Sequence, residues 1–191
     1  SMNFNFIGFK LFSLLSFLIL ISSSTVLKIL SIFCSSRFAS LIGKDMSKFM
    51  RAGHSGEIHA LHELSARVSA AIKYSKGKTD TSTTAEMSME IGMGVCQDHV
   101  HAFIAVARCL DFSARYVSGY LLMCDSEIQD ASHAWAEVFT NGLGWVGFDI
   151  SNGISPDDRY VKLATGFDYA DAAPLSGVRF GSGEEQMSTQ V

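Results

Sequence analysis

Cys96 stands in a segment that could turn a cysteine into a nucleophile. It follows Gly92-Met93-Gly94-Val95 and precedes an apolar stretch with helical spacing. Glycines permit a tight turn, and a helix that starts there directs the positive end of its dipole at the sulfur. That field stabilises the thiolate, which is the reactive form of cysteine. We therefore predict that Cys96 is an activated nucleophile.

Two later segments could supply a base and a carboxylate. His133 lies in the run SHAW, and Asp149 ends the run GWVGFD. In a Cys-His-Asp enzyme the imidazole moves the proton and the carboxylate holds the imidazole in the right tautomer. We predict these roles for His133 and Asp149. Backbone N–H groups at the start of the Cys96 helix are candidate oxyanion donors, and Gln97 and Trp135 are candidate second donors and substrate contacts.

The spacing around His133 and Asp149 predicts one β-hairpin. Apolar residues occupy even-numbered positions in both segments, namely Ala134, Ala136, Val138, Val146, Phe148 and Ile150. Side chains alternate between the two faces of a strand, so these positions share a core face only if even residues pair with even residues. His133, Trp135 and Asp149 then share the opposite face.

Even-with-even pairing also fixes the length of the turn. It requires an odd loop, such as residues 141–143 with Thr140 opposite Gly144. Asp149 then becomes a diagonal neighbour of His133, about 7 Å away at the backbone, which is close enough for a side-chain contact. A two-residue loop would put the two side chains on opposite faces.

The other thiols and imidazoles have structural interpretations. A free cysteine is usually a small buried apolar residue, and we assign this role to Cys109 and Cys124. A zinc site made from Cys96, Cys109 and the two helical histidines is disfavoured, because His99 and His101 lie on different sides of a helix. We predict neither a metal nor a cofactor.

Composition excludes some classes of function. The 191 residues carry a net charge of −4 and show no basic run, so we expect no nucleic-acid binding. The four cysteines form no CxxC pair or regular disulfide frame, which favours a reducing compartment.

Residues 1–45 differ in character from the rest. The stretch 11–27 is uncharged and apolar, follows Lys10 and ends near a serine run. This order is typical of a signal peptide or membrane anchor, which would make the protein exported or membrane-associated. However, serines interrupt the run and no Ala-x-Ala cleavage site follows it. The alternative is a truncated structural segment, in which case we favour the cytoplasm.

Helices precede strands along the remainder. Apolar spacing predicts a helix over 57–73, a capping box at Thr83–Glu86 predicts a short helix ending near Gly92, and a central helix starts near Val95. Strand patterns cover 115–123, 131–140, 144–150 and 159–164. This order predicts an α+β domain over 46–185, followed by a tail at 186–191.

The same segments carry a resemblance to a known family. The runs GVCQDHVH from Gly94, ARYVSGY from Ala114, ASHAWAE from Ala131 and GWVGFD from Gly144 resemble the bacterial transglutaminase-like superfamily of papain-like cysteine enzymes. The resemblance implies a helix bearing the cysteine, packed on an antiparallel sheet that bears the histidine and aspartate. It also implies the roles of Cys96, His133 and Asp149 as nucleophile, base and orienting carboxylate.

The activity implied is acyl chemistry on amide bonds of a peptide or protein. We expect hydrolysis through a thioester on Cys96. The alternatives are transfer of a glutamine acyl group to an amine, and a non-catalytic peptide-binding module on the same fold.

Overall fold

The computed structural model describes residues 54–122 and 132–174 of the chain. The predictions for residues 1–45, the apolar stretch 11–27, Cys124 and the tail 186–191 lie outside these ranges. In chain order the described elements are α1 (His54–Ala71), β1 (Lys73–Tyr74), α2 (Ala85–Ile91), β2 (Met93–Gly94), α3 (Cys96–Cys109), β3 (Ala114–Leu121), β4 (His133–Thr140), β5 (Gly144–Phe148) and β6 (Tyr160–Gly166). Within the described ranges, no helix combines the length and apolarity needed to cross a membrane.

The first helix has the predicted apolar face, but it ends earlier than predicted. Leu61, Leu64 and Val68 are fully buried and pack in the core that α1 shares with α3. The helix ends at Ala71, whereas the spacing predicted residue 73. Lys73, two residues after the helix ends, begins a short strand.

That strand, β1, pairs in parallel with β2, which the sequence analysis did not predict. Tyr74 lies opposite Gly94, and the N–H of Ser75 donates to the Gly94 carbonyl oxygen at 2.7 Å. A two-residue ladder is too short to leave an apolar pattern in the sequence. Its consequence is to place Tyr74 beside the residues that lead into α3.

Helix α2 starts one residue later than its capping signal predicted. The N-cap is Thr84, whose Oγ1 accepts the N–H of Met87 at 3.2 Å. Thr83 instead accepts the N–H of Asp80 in the preceding loop. It is therefore not the N-cap to which the Glu86 side chain was expected to bond back. The end is where we predicted it, because Gly92 adopts a left-handed conformation with φ 68°.

The antiparallel sheet has the strand order β5-β4-β3-β6, and α3 packs against it. The hairpin has the predicted register, with Thr140 opposite Gly144 and Ala136 opposite Phe148. Strand β5 ends at Phe148, two residues before the predicted end, and Asp149 continues as a single bridge to Ile154. The predicted α+β architecture is confirmed.

Strand β6 pairs with β3 through an irregular register. The pairing shifts between Ser118, opposite Ala164, and Gly119, opposite Lys162. A side chain at Gly119 would collide with the carbonyl oxygen of Val161, so the close approach of β6 requires glycine there. The shift brings Tyr160, at the start of β6, to the end of the sheet where β4 begins with His133.

Candidate active site

Cys96 is the first residue of α3 and is half-buried. The residue before it, Val95, is extended, and the first helical hydrogen bond runs from the N–H of His99 to the Val95 carbonyl oxygen. The amides of Cys96 and Gln97 therefore precede the repeating helical bonds, and the positive end of the helix dipole lies at the sulfur.

A buried carboxylate fixes the turn that presents Cys96. Asp98 Oδ2 accepts the N–H of Val95 at 2.7 Å and the hydroxyl of Thr79 at 2.6 Å. Gly94 packs directly on this carboxylate, since a Cβ at that position would lie 2.6 Å from Asp98 Oδ2. Glycine is thus required at position 94, because the backbone there lies close to a carboxylate that two hydrogen bonds hold in place.

His133 and Asp149 are in contact across the hairpin. His133 Nε2 donates to Asp149 Oδ2 at 2.6 Å, and the Asp149 side chain is fully buried. The carboxylate occupies Nε2, and Cys96 lies close enough to the same imidazole to raise its pKa. The three residues that the sequence singled out are therefore adjacent, with His133 between the other two.

Two further side chains bind the same carboxylate. The Tyr160 hydroxyl and the Asn152 amide each donate to Asp149 Oδ2 at 2.7 Å, and the Asn152 N–H donates to Oδ1 at 3.1 Å. Both residues were missed by the sequence analysis. Asn152 leaves a faint signal, the turn-forming residues Ser-Asn-Gly two positions after Asp149, whereas no periodicity or turn pattern singles out Tyr160.

These contacts set the charges of the pair. Burial lowers the pKa of His133, but hydrogen bonds to Asp149 and Cys96 and their negative charges outweigh it and raise that pKa to about 9. Burial raises the pKa of Asp149, yet bonds from His133, Tyr160 and Asn152 bring it below its ordinary value. At neutral pH the imidazole is therefore protonated and the carboxylate ionised.

His99 ties the helix that carries Cys96 to the loop that follows Asp149. It is buried, with Nε2 2.7 Å from the Ile72 carbonyl oxygen and Nδ1 2.9 Å from Ser151 Oγ. The carbonyl can only accept, so Nε2 carries the proton and Nδ1 accepts from the serine hydroxyl. Burial lowers the pKa of His99, which keeps the ring neutral.

The histidines of the disfavoured zinc arrangement have other partners. His99 has the two just described, and His101 Nε2 accepts the N–H of Tyr169 at 3.3 Å. Within residues 54–122 and 132–174, no group of three or more His, Cys, Asp or Glu side chains is arranged to hold a metal ion.

The two predicted substrate contacts lie deeper than a surface platform would. Trp135 is only 2% exposed, stacks near His133 with a centroid distance of 6.5 Å and meets the Tyr160 ring edge-on at 5.4 Å. Gln97 is also buried, and its side-chain amide donates to the Thr81 carbonyl oxygen at 3.4 Å. Roles for both in binding substrate stay predictions.

Tyr74 is a residue at this site that the sequence analysis did not single out. It is 53% exposed, and its ring lies 6.2 Å from that of His99. Burial raises the pKa of its hydroxyl, and the negative charges of Cys96 and Asp149 raise it further, which indicates proximity to both. The β1–β2 pairing explains this position.

The chain is similar to a known family and to proteins of other bacteria. The sequence profile of the transglutaminase-like superfamily matches residues 44–150. An uncharacterised protein of Mycobacterium tuberculosis is 34% identical over 140 residues, covering 68% of this chain and 45% of the relative. An uncharacterised protein of Mycobacterium leprae is 32% identical over 142 residues, covering 68% of this chain and 50% of the relative. The chain thus spans about half the length of these curated relatives.

A solved structure has a similar fold. It is a crystal structure described as a putative cysteine protease from Cytophaga hutchinsonii, with a TM-score of 0.54 and 25% sequence identity. The similarity covers 74% of this chain and 51% of that protein.

Proposed function

The chain belongs to the transglutaminase-like superfamily, and from that premise we propose that it is a cysteine enzyme that cleaves amide bonds of peptides or proteins. The observation that carries the proposal is the contact of His133 Nε2 with Asp149 Oδ2 at 2.6 Å, with Cys96 near the same imidazole. In this proposal Cys96 is the nucleophile, His133 the acid and base, and Asp149 the orienting carboxylate.

The first half-reaction forms a thioester. The Cys96 thiolate attacks the carbonyl carbon of the amide, and a tetrahedral oxyanion develops. As the C–N bond breaks, the His133 imidazolium gives its proton to the leaving amine, and the acyl group stays on sulfur. A pKa of about 9 for His133 supports this order of events, because the proton is already on the ring when the substrate arrives at neutral pH.

The second half-reaction regenerates the enzyme. Water attacks the thioester carbonyl carbon while the neutral His133 ring takes a proton from it. The C–S bond breaks, the acid leaves, and the thiolate and imidazolium are restored. Asp149 stabilises the imidazolium in both steps through its bond to Nε2.

Candidate oxyanion donors are the backbone N–H groups at the start of α3. The amides of Cys96 and Gln97 precede the first helical bond, and a helix N-terminus favours negative charge. Removing one such donor typically slows an enzyme by about 100-fold or more. The side-chain amide of Gln97, one of the two side-chain donors considered, donates to the Thr81 carbonyl oxygen.

Amide hydrolysis and acyl transfer differ only in the molecule that attacks the thioester. The direct test is incubation with glutamine-containing and ordinary peptides, with and without a primary amine. Ammonia release or peptide cleavage without amine supports hydrolysis, whereas amine incorporation with little hydrolysis supports transfer. Cys96→Ala must abolish either activity. Turnover that persists in Cys96→Ala would contradict the proposal.

A further inference from the structure

Three hydrogen-bond donors converge on one oxygen of Asp149. His133 Nε2 lies 2.6 Å from Oδ2, and the Tyr160 hydroxyl and the Asn152 amide each lie 2.7 Å from the same atom. The remaining oxygen accepts only the more distant Asn152 N–H among the bonds described, at 3.1 Å. The oxygen that holds the imidazole is therefore shared with two other groups.

Sharing weakens the hold of a carboxylate on any one donor. Hydrogen bonds to an ionised group offset part of its charge, and in a buried site this effect is larger than in water. Asp149 is fully buried, so with His133 as its only donor it would bind the imidazolium more tightly. A more tightly held imidazolium is a weaker acid toward a leaving amine.

We propose that Tyr160 is a positioning residue of the site: its hydroxyl bond to Asp149 limits how strongly the carboxylate holds the imidazolium of His133. The importance of this limit for turnover rests on the proposed function. The effect of Tyr160 on the titration of His133 does not require turnover. The inference about Tyr160 and the proposed function can therefore be tested separately.

The packing of Tyr160 supports a fixed donor. Tyr160 begins β6 opposite Leu121, and its ring meets Trp135 edge-on at 5.4 Å and 84°. Burial raises the pKa of the Tyr160 phenol, and the bond to Asp149 raises it further. The hydroxyl therefore keeps its proton, and with it the bond, throughout the pH range in which His133 titrates.

Other titratable groups face the pair from two further elements. Helix α3 contributes Cys96 and the neutral His99, and β1 contributes Tyr74. Replacing Tyr160 by phenylalanine removes one hydroxyl and leaves these groups and the ring packing in place. A change in the titration of His133 is then assigned to the lost bond.

The test is an NMR titration of His133 in the full-length protein labelled at histidine Cε1. The His133 signal, one of six histidine signals, is assigned by its loss in His133→Gln. In Tyr160→Phe we expect the His133 pKa to rise by about half a unit or more relative to the unsubstituted protein.

The matched control is Tyr120→Phe, which removes the same atom from β3, the strand that pairs with β6. It should leave the His133 titration unchanged. An unchanged or lowered His133 pKa in Tyr160→Phe would overturn the inference, whatever the activity of the protein. Absence of amide turnover in the unsubstituted protein would instead overturn only the proposed function.

Discussion

His133 and Asp149, sixteen residues apart in the chain, meet at 2.6 Å because an odd turn joins their strands. Thr140 lies opposite Gly144, so the two strands pair even residue with even residue. The odd-numbered side chains of both strands therefore share one face. The apolar even-numbered residues pack in the core with the helix that carries Cys96. Cys96 is the first residue of that helix, and His133 is the first residue of β4.

The first prediction concerns the charge of His133. Asp149→Asn removes the negative charge and the acceptor on which the raised pKa depends. Burial then opposes only the contribution of Cys96, so we expect the His133 pKa to fall from about 9 toward its ordinary value of 6.5. The shift is measured by histidine NMR, with Asp157→Asn, at an exposed carboxylate, as the control. A His133 pKa that stays near 9 in Asp149→Asn would contradict the assignment.

The second prediction concerns stability against pH. Because the folded His133 pKa lies above 6.5, this group contributes stability below pH 6.5 that is lost as pH rises through about 9. Thermal unfolding of the unsubstituted protein and of His133→Gln should therefore differ less at pH 10 than at pH 6. An equal difference at both pH values would exclude the linkage.

The third prediction concerns His99. His99→Ala removes the imidazole, which leaves the buried Ile72 carbonyl oxygen without its donor and opens a cavity. We expect a loss of about 2–4 kcal/mol in the free energy of unfolding, measured in urea. Ser151→Ala loses only one hydroxyl bond and should cost about 1 kcal/mol. Equal losses in the two variants would show that His99 does not act as the link.

The fourth prediction concerns Gly94. A methyl group there collides with Asp98, which cannot retreat because Thr79 and Val95 hold its carboxylate. Gly94→Ala should lower the free energy of unfolding by more than about 2 kcal/mol. Gly77→Ala is the control. No atom lies within 4 Å of a Cβ at that position, so only the φ of 73° disfavours alanine, at a cost of about 1 kcal/mol. If Gly94→Ala cost no more than this control, the close approach would not matter.

The core fold and the pairing of His133 with Asp149 could be predicted because each rests on local periodicity. Alternation within residues 131–150 fixes which side chains share a face, and one turn length completes the argument. The same reasoning could not reach the partners of the carboxylate. Tyr160 arrives through the pairing of β6 with β3, whose register shifts after Ser118. No sequence period specifies such a shift.

Two other details of the structure also have physical causes that the sequence pattern does not encode. Thr83 and Thr84 are equally good capping residues. Thr84 is the N-cap of α2 because the Thr83 hydroxyl already accepts the N–H of Asp80. The buried position of Trp135 follows from its packing against Tyr160 and Gly119, both brought by β3 and β6. These are contacts between distant segments, which composition and spacing do not encode.

The most direct test of the central claim compares two cysteines on one helix. Cys96 begins α3 and Cys109 ends it, so the two half-buried thiols lie at opposite ends of the same dipole. The protein is treated with iodoacetamide at pH 6, and the modified cysteines are quantified by mass spectrometry. We predict that Cys96 is labelled at least about 10-fold faster than Cys109, and that His133→Ala removes most of this difference. Equal rates for the two thiols, or a difference that survives undiminished in His133→Ala, would contradict the account.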